Sequence, residues 1–152
     1  MMKKTHIAVL IFAVLILALF IVGQQKAQKN IEIIYFRYAY EDNNYYRKID
    51  LKNKEYWKAG PEKYGEDVEY LFVSCLEDEK IDVFLNTCHN SGFLSWDEEY
   101  LPDNTSFNSN MWWITIHYSD SSEQKMRGHG IYPETWDEVG IALRELTGDL
   151  AA

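Results

Sequence analysis

Few residues of this chain are of the kinds that make and break bonds. The two cysteines, Cys75 and Cys88, come first. Outside a membrane such a pair invites a disulfide. On one continuous helix, a rise of about 1.5 Å per residue would hold the two Cα atoms roughly 20 Å apart. A bridge tolerates about 7 Å, so only a hairpin-like break near Glu79 would join them, and a Cys75–Cys88 disulfide is disfavoured. Each cysteine also falls on an apolar face, where a buried thiol is ordinary. No Cys-x-x-Cys spacing points to zinc or redox chemistry. The histidines are His6, His89, His117 and His129. His117 and His129 fall on strands expected to pair, and two histidines with an acid such as Asp120 are a conceivable metal set. Neither H-E-x-x-H nor H-x-H occurs, however, and an exposed strand histidine is the commoner case. Neither metal ligands nor a cofactor are assigned. Ser91 and Ser119 to Ser122 offer hydroxyls without a G-x-S-x-G elbow. Asp97-Glu98-Glu99 sets carboxylates side by side, the pattern of a solvated run. These residues give no catalytic assignment; a small hydrolase using His117 or His129 with nearby carboxylates is the alternative reading.

The aromatic residues are the more unusual feature. Trp57, Trp96, Trp112, Trp113 and Trp136 accompany 11 tyrosines. Trp112 and Trp113 are adjacent on an expected strand, so they face opposite sides of a sheet. One enters the core. The other belongs to the outer sheet face or lies under a loop. Tyr35, Arg37, Trp113, Thr115 and His117 fall at positions that share such a face. They form a candidate ligand-binding surface, because aromatic faces recognise sugars, peptides and proteins. The opposing expectation is a sheet covered on both sides by helices and the long loop.

The elements that would position these residues follow from periodicity. Ile31 to Tyr40 alternates between Ile31, Ile33 and Tyr35 on one face and Ile34, Phe36, Tyr38 and Tyr40 on the other, the pattern of a strand. Glu41-Asp42-Asn43-Asn44 reads as a turn, and Tyr45 to Leu51 as the return strand. Tyr56-Trp57 suggests a short third strand, with Gly60-Pro61 a loop. From Gly65 the period changes. Val68, Leu71, Phe72, Cys75 and Leu76 follow one helix face, with Glu66 and Asp67 in its first turn. Ile81, Phe84, Leu85 and Cys88 repeat the pattern after a break near residues 77–80. Ser91 to Asn110 reads as a loop. Met111 to Tyr118 is the clearest strand, with Trp112, Ile114, Ile116 and Tyr118 on one face. Ser119 to Ser122 turns the chain, and Gln124 to Gly130 returns it. Tyr132-Pro133 opens a last helix with Pro at the first helical position. Its buried stripe is Trp136, Val139, Gly140, Leu143 and Leu146, and Gly148 is its C-cap. The expected fold is α+β: a small antiparallel sheet in the order hairpin, helix, hairpin, helix, with the helices on one face.

Ahead of this domain, residues 1–6 are short and basic, and an unbroken apolar run extends from Ile7 to Val22. Segment 7–23 is intermediate in length between a secretory core of roughly 7–15 residues and a spanning helix of about 17–25. It is read as an uncleaved membrane anchor, with a cleaved signal and secretion as the alternative. Lys3 and Lys4 favour the N-terminus inside and the domain outside the membrane. Residues 24–30 form a linker, 31–148 a single domain and 149–152 a tail. The chain has a net charge of −9, and all the acidic residues lie beyond the apolar run. Residues 30–152 hold 11 basic against 24 acidic side chains, a balance of −13. That excludes nucleic acid as a partner, because phosphate backbones are bound through Lys and Arg.

The stretch from Trp112 to Trp136 runs W-W-I-T-I-H-Y-S-D-S and later G-H-G-I-Y-P-E-T-W. With Trp96-Asp97 before it, it resembles the closing segment of a small domain of low-GC Gram-positive bacteria. There a Trp-led strand ends in Tyr-x-Asp-Gly, and a Gly precedes a Tyr-Pro that starts a helix. The resemblance covers residues 94–147. Ser121 stands where the pattern has Gly, which bears on the turn type of that hairpin. The resemblance implies a fold and a bacterial source, and no activity or residue roles come with it. The functional expectation is a non-catalytic binding domain displayed at a membrane, contacting an envelope polymer, a peptide or a protein such as a toxin.

Overall fold

In a computed structural model of the chain, residues 30–40, 43–63, 68–102 and 110–149 are described. The apolar run Ile7–Val22 lies outside them, as do Glu66, Asp67 and residues 103–109. Among the described residues no helix is long and apolar enough to cross a membrane.

Seven strands form one sheet: β1 (Ile31–Tyr40), β2 (Asn43–Asp50), β3 (Glu55–Lys63), β4 (Leu71–Cys75), β5 (Glu99–Tyr100), β6 (Met111–Tyr118) and β7 (Glu123–His129). Their spatial order is β4-β3-β2-β1-β6-β7-β5. Two helices, α1 (Asp78–Asn90) and α2 (Trp136–Thr147), pack on each other. The fold is therefore α+β, but the sheet is larger than the small one expected. It is also not wholly antiparallel, since β5 runs parallel to β7.

Alternation puts Ile34 on β1, Ile49 on β2, Tyr56 on β3, Ile114 and Ile116 on β6 and Met126 on β7 against the helices. Ile81, Phe84 and Cys88 from α1 and Val139, Ala142, Leu143 and Leu146 from α2 complete a single core. Each such side chain contributes roughly 1.5–3 kcal/mol by leaving water. Both helices lie on this side; among the described residues no helix lies over the opposite sheet face.

Three expectations are corrected. Residues 71–75 are a strand, not a helix. The helical spacing of Val68, Leu71, Phe72, Cys75 and Leu76 is outweighed by pairing with β3, where Trp57 opposes Phe72 and their rings meet edge to face at 5.3 Å. Leu71, Phe72 and Val73 remain 64%, 51% and 40% exposed on this edge strand. Gly60-Pro61 lies inside β3 rather than in a loop. Gly60 takes a φ of 108° where the β2–β3 register shifts, and Pro61 lies beyond Lys58, the last residue of β3 that pairs with β4. Pro is tolerated at such edges because no ladder hydrogen bond is lost. Asn43 and Asn44 extend β2 rather than forming the turn.

The last helix begins after Thr135, not at Pro133, which sits in the preceding turn and accepts a hydrogen bond from Trp136 N. Gly148 caps it with a φ of 71°, as expected. At the β6–β7 hairpin, Ser121 takes a φ of 65°. A residue in this left-handed region after a tight turn suits a three-residue hairpin loop, so Gly is not required there.

Candidate functional site

The five residues expected to share a surface do so. In the β1–β6 register Tyr35 opposes Thr115 and Arg37 opposes Trp113, while Ile33 opposes His117. All five point to the helix-free face. The Arg37 guanidinium lies over the Trp113 ring at 4.2 Å from its centroid. It is held there by hydrogen bonds of 3.1 and 2.9 Å to Asn44 Oδ1. Tyr35 meets His117 edge to face at 5.3 Å. Farther along the same face, Lys48 stands over Trp57 at 5.4 Å. Cation–aromatic contacts of this kind contribute about 0.5–1 kcal/mol at exposed sites.

The face is not bare throughout. Tyr70, just ahead of β4, packs on Tyr35 at 6.2 Å and Tyr46 at 6.5 Å. Burial and the neighbouring phenols push its hydroxyl up to about 12. The rest of the face runs from Arg37 and Trp113 to the β7 rim. There a depression of about 340 Å³ is lined by Trp113, Thr115, Lys125, Arg127, Glu98 and Glu99. Its rim is fixed by ion pairs between Arg127 and Glu99 and between Lys125 and Glu123, the latter at 2.8 Å. The Lys125 ammonium holds the Glu123 carboxyl below its usual range.

The histidines do not come together. His117 opposes Glu123 and His129 opposes Met111, at opposite ends of the hairpin. Six residues of strand separate their levels by about 20 Å. His117 Nδ1 lies 3.6 Å from Glu123 Oε1, with both side chains open to solvent. Asp120 instead caps its own turn, accepting from Ser122 N at 3.0 Å. Among the described residues no group of three or more His, Cys, Asp or Glu is placed to hold a metal ion. Cys75 is an exposed thiol on the edge strand, and Cys88 a buried one in α1. Burial pushes the Cys88 thiol up to about 12.

No protein-family model matches the chain, and neither a curated protein nor a solved structure does.

A second concavity went unnoticed in the sequence. Between α2 and the core face of β1, β2 and β3 lies a groove of about 890 Å³. Trp136, Gly140 and Arg144 recur every four residues and so form one line along α2 facing it. Phe36 and Tyr38 from β1, Tyr45 and Arg47 from β2, and Lys58 from β3 form the opposite wall. Trp136 is fixed by a ring cluster, stacked on Trp96 at 5.8 Å and tilted on Trp112 at 4.8 Å. Trp112 Nε1 donates to Ile131 O at 2.9 Å, and Trp96 Nε1 to Thr135 Oγ1 at 3.1 Å. At the far end Asp149 accepts from Tyr56 Oη at 2.7 Å. The same carboxylate lies 3.1 Å from Arg47 Nε and 3.6 Å from Lys58 Nζ. Arg47 Nε is not aligned to donate a hydrogen bond despite that distance, so the contact is an ion pair. Burial and the Asp149 carboxylate both raise the Tyr56 phenol, which stays protonated as the donor.

Gly140 explains the groove's width. A Cβ at this position would meet nothing within 4 Å. A mid-helix glycine costs about 1 kcal/mol relative to alanine, and here no packing constraint demands it. Trp96, Trp112 and Trp136 were each visible as aromatics in the sequence. The groove was not, because it depends on a missing side chain and on the packing of α2 against three strands far from it in the chain.

Proposed function

We propose that this chain is a non-catalytic interaction protein whose helix-free sheet face engages a peptide, a protein or an envelope polymer. The observation that carries the reading is the row of Tyr35, Arg37, Trp113, Thr115 and His117 on the sheet face turned away from both described helices. Antiparallel sheets commonly leave one face in water, but such faces are normally polar. Here rings and cations alternate along the face, the composition that dominates binding interfaces. The apolar segment 7–23 supports display of the domain from a membrane, on its outer side, with a secreted form as the alternative. The 24 acidic residues of the domain argue against nucleic acid. The alternative, a small hydrolase using His117 or His129 with nearby carboxylates, has less support: the His117–Glu123 contact is solvent-exposed.

Co-sedimentation with purified bacterial wall polymer, together with fluorescence titration by soluble wall peptides, tests this. The parent chain is expected to bind at least one of them. Trp113→Ala and Arg37→Ala are each expected to weaken binding about ten-fold or more, the loss of a hot-spot contact. Equal binding by parent and both variants refutes the assigned face, and absence of binding across the whole set refutes the proposal.

A further inference from the structure

The groove beneath α2 lies on the other side of the sheet from the proposed interaction face, and its chemistry differs. Its aromatic wall is Phe36, Tyr38 and Trp136. Among the described residues that line it, Arg47 and Lys58 share the single carboxylate of Asp149 at one end. A local cationic excess is anomalous in a domain whose balance is −13. Its volume falls within the roughly 300–1,000 Å³ usual for small-molecule pockets. A Cβ at 140 would meet nothing within 4 Å, so a side chain there would project into open space.

We infer that this groove binds a small amphipathic carboxylate. The apolar body lies along Phe36, Tyr38 and Trp136, passing Gly140. The carboxylate meets Arg47 and Lys58, where charge-assisted hydrogen bonds form in partly desolvated surroundings. Charge complementarity selects the occupant: a neutral apolar molecule would leave the two cations sharing one carboxylate, and an amphipathic cation would be repelled by them.

Isothermal titration calorimetry on the full-length chain in lipid nanodiscs tests this, with phenylhexanoate as probe, phenylhexylamine as its charge-reversed counterpart and empty nanodiscs as blank. Saturable binding of phenylhexanoate is expected, about ten-fold or more tighter than that of the amine. Gly140→Leu fills the groove and should abolish binding while the thermal midpoint does not fall. Lys58→Glu, on a half-exposed strand position, should weaken binding about ten-fold even if Gly140→Leu fails to fold. Lys80→Glu, a matched change of charge on α1, should leave it unchanged. Absence of saturable heat, equal affinity for the amine, or insensitivity to Gly140→Leu and Lys58→Glu would each overturn the inference.

Discussion

The same substitution at two glycines should have opposite effects on stability. Gly128 on β7 lies against the ring of Trp112. A Cβ at 128 would stand 2.3 Å from Trp112 Cε2 and Nε1 and 2.5 Å from Cζ2. Carbon contacts are favourable near about 3.5–4.0 Å, so ring and methyl must part by more than roughly 1 Å. The ring has nowhere to go. It is 1% exposed, its Nε1 is bonded to Ile131 O at 2.9 Å, and Trp136, Tyr132 and Tyr100 surround it. Overpacking typically costs about 1–3 kcal/mol, and a stretched indole hydrogen bond about 0.5–1.5 kcal/mol more. Relief of glycine's backbone entropy returns roughly 0.5–1 kcal/mol. Gly128→Ala should therefore lose about 2 kcal/mol, within a span of roughly 0.5–4 kcal/mol, which for a domain of this size lowers the melting midpoint by roughly 8 °C. Gly140→Ala meets no atom within 4 Å and should gain up to about 1 kcal/mol. Urea titrations followed by tryptophan emission and far-UV circular dichroism measure both. If Gly128→Ala unfolds within about 0.5 kcal/mol of the parent, the ring contact does not constrain this position.

Three further outcomes are expected. The Asp50 carboxyl is nearly buried; burial raises it, but hydrogen bonds from Asn53 N and Nδ2 and the nearby Lys48 ammonium outweigh this and hold it below its usual range. Its contribution is thus present above a pH of about 4 and is lost as pH falls through the lower folded-state value, so Asp50→Asn should be less stable at pH 7 and equal to the parent in strong acid; parallel stability curves for the two proteins would contradict this. At pH 8 a disulfide-exchange reagent should titrate Cys75 quickly and Cys88 only in denaturant, and rapid release of two equivalents would show that Cys88 is accessible. Asp149→Ala removes the acceptor of Tyr56 and the counter-charge of Arg47, whose side chain is 12% exposed; a thermal scan should show a loss of roughly 1–3 kcal/mol, and an unchanged midpoint would mean solvent replaces the carboxylate.

What the sequence revealed depended on how local the deciding interaction was. β6 was legible because Trp112, Ile114, Ile116 and Tyr118 alternate strictly with less buried neighbours, and alternation alone sets which side each residue faces. The same rule placed Tyr35, Arg37, Trp113, Thr115 and His117 on one surface before any pairing was known. α1 was legible from Ile81, Phe84 and Cys88 for the equivalent helical reason. β4 was not. Its five residues, Leu71 to Cys75, fit a helical stripe as well as a short apolar strand. Pairing with Trp57 and Lys58 decided between them, and this contact is absent from any local window. Gly60-Pro61 misled for a related reason: a bulge and an edge suit Gly and Pro as well as a loop does. The groove was least legible, since Gly140 signals space rather than contact.

The segregation of charge ties the two surfaces together. Of the 11 basic residues beyond residue 29, Arg37, Lys48, Lys125 and Arg127 stand on the open sheet face, and Arg47, Lys58 and Arg144 line the groove. The domain-wide field repels a ligand in proportion to its total charge, and salt reduces this repulsion beyond a Debye length of about 8 Å. A polyanion meets that repulsion at every phosphate, whereas a single carboxylate meets it once and then gains short-range contacts with two cations. On the readings proposed above, the acidic balance disfavours nucleic acid without opposing a monoanion in the groove. β6 supports both surfaces, with Trp113 on the open face and Trp112 in the ring cluster that fixes Trp136. Substitution of Trp112 should perturb both surfaces at once, while Trp113→Ala should act mainly on the open face, where the Arg37 guanidinium lies over its ring.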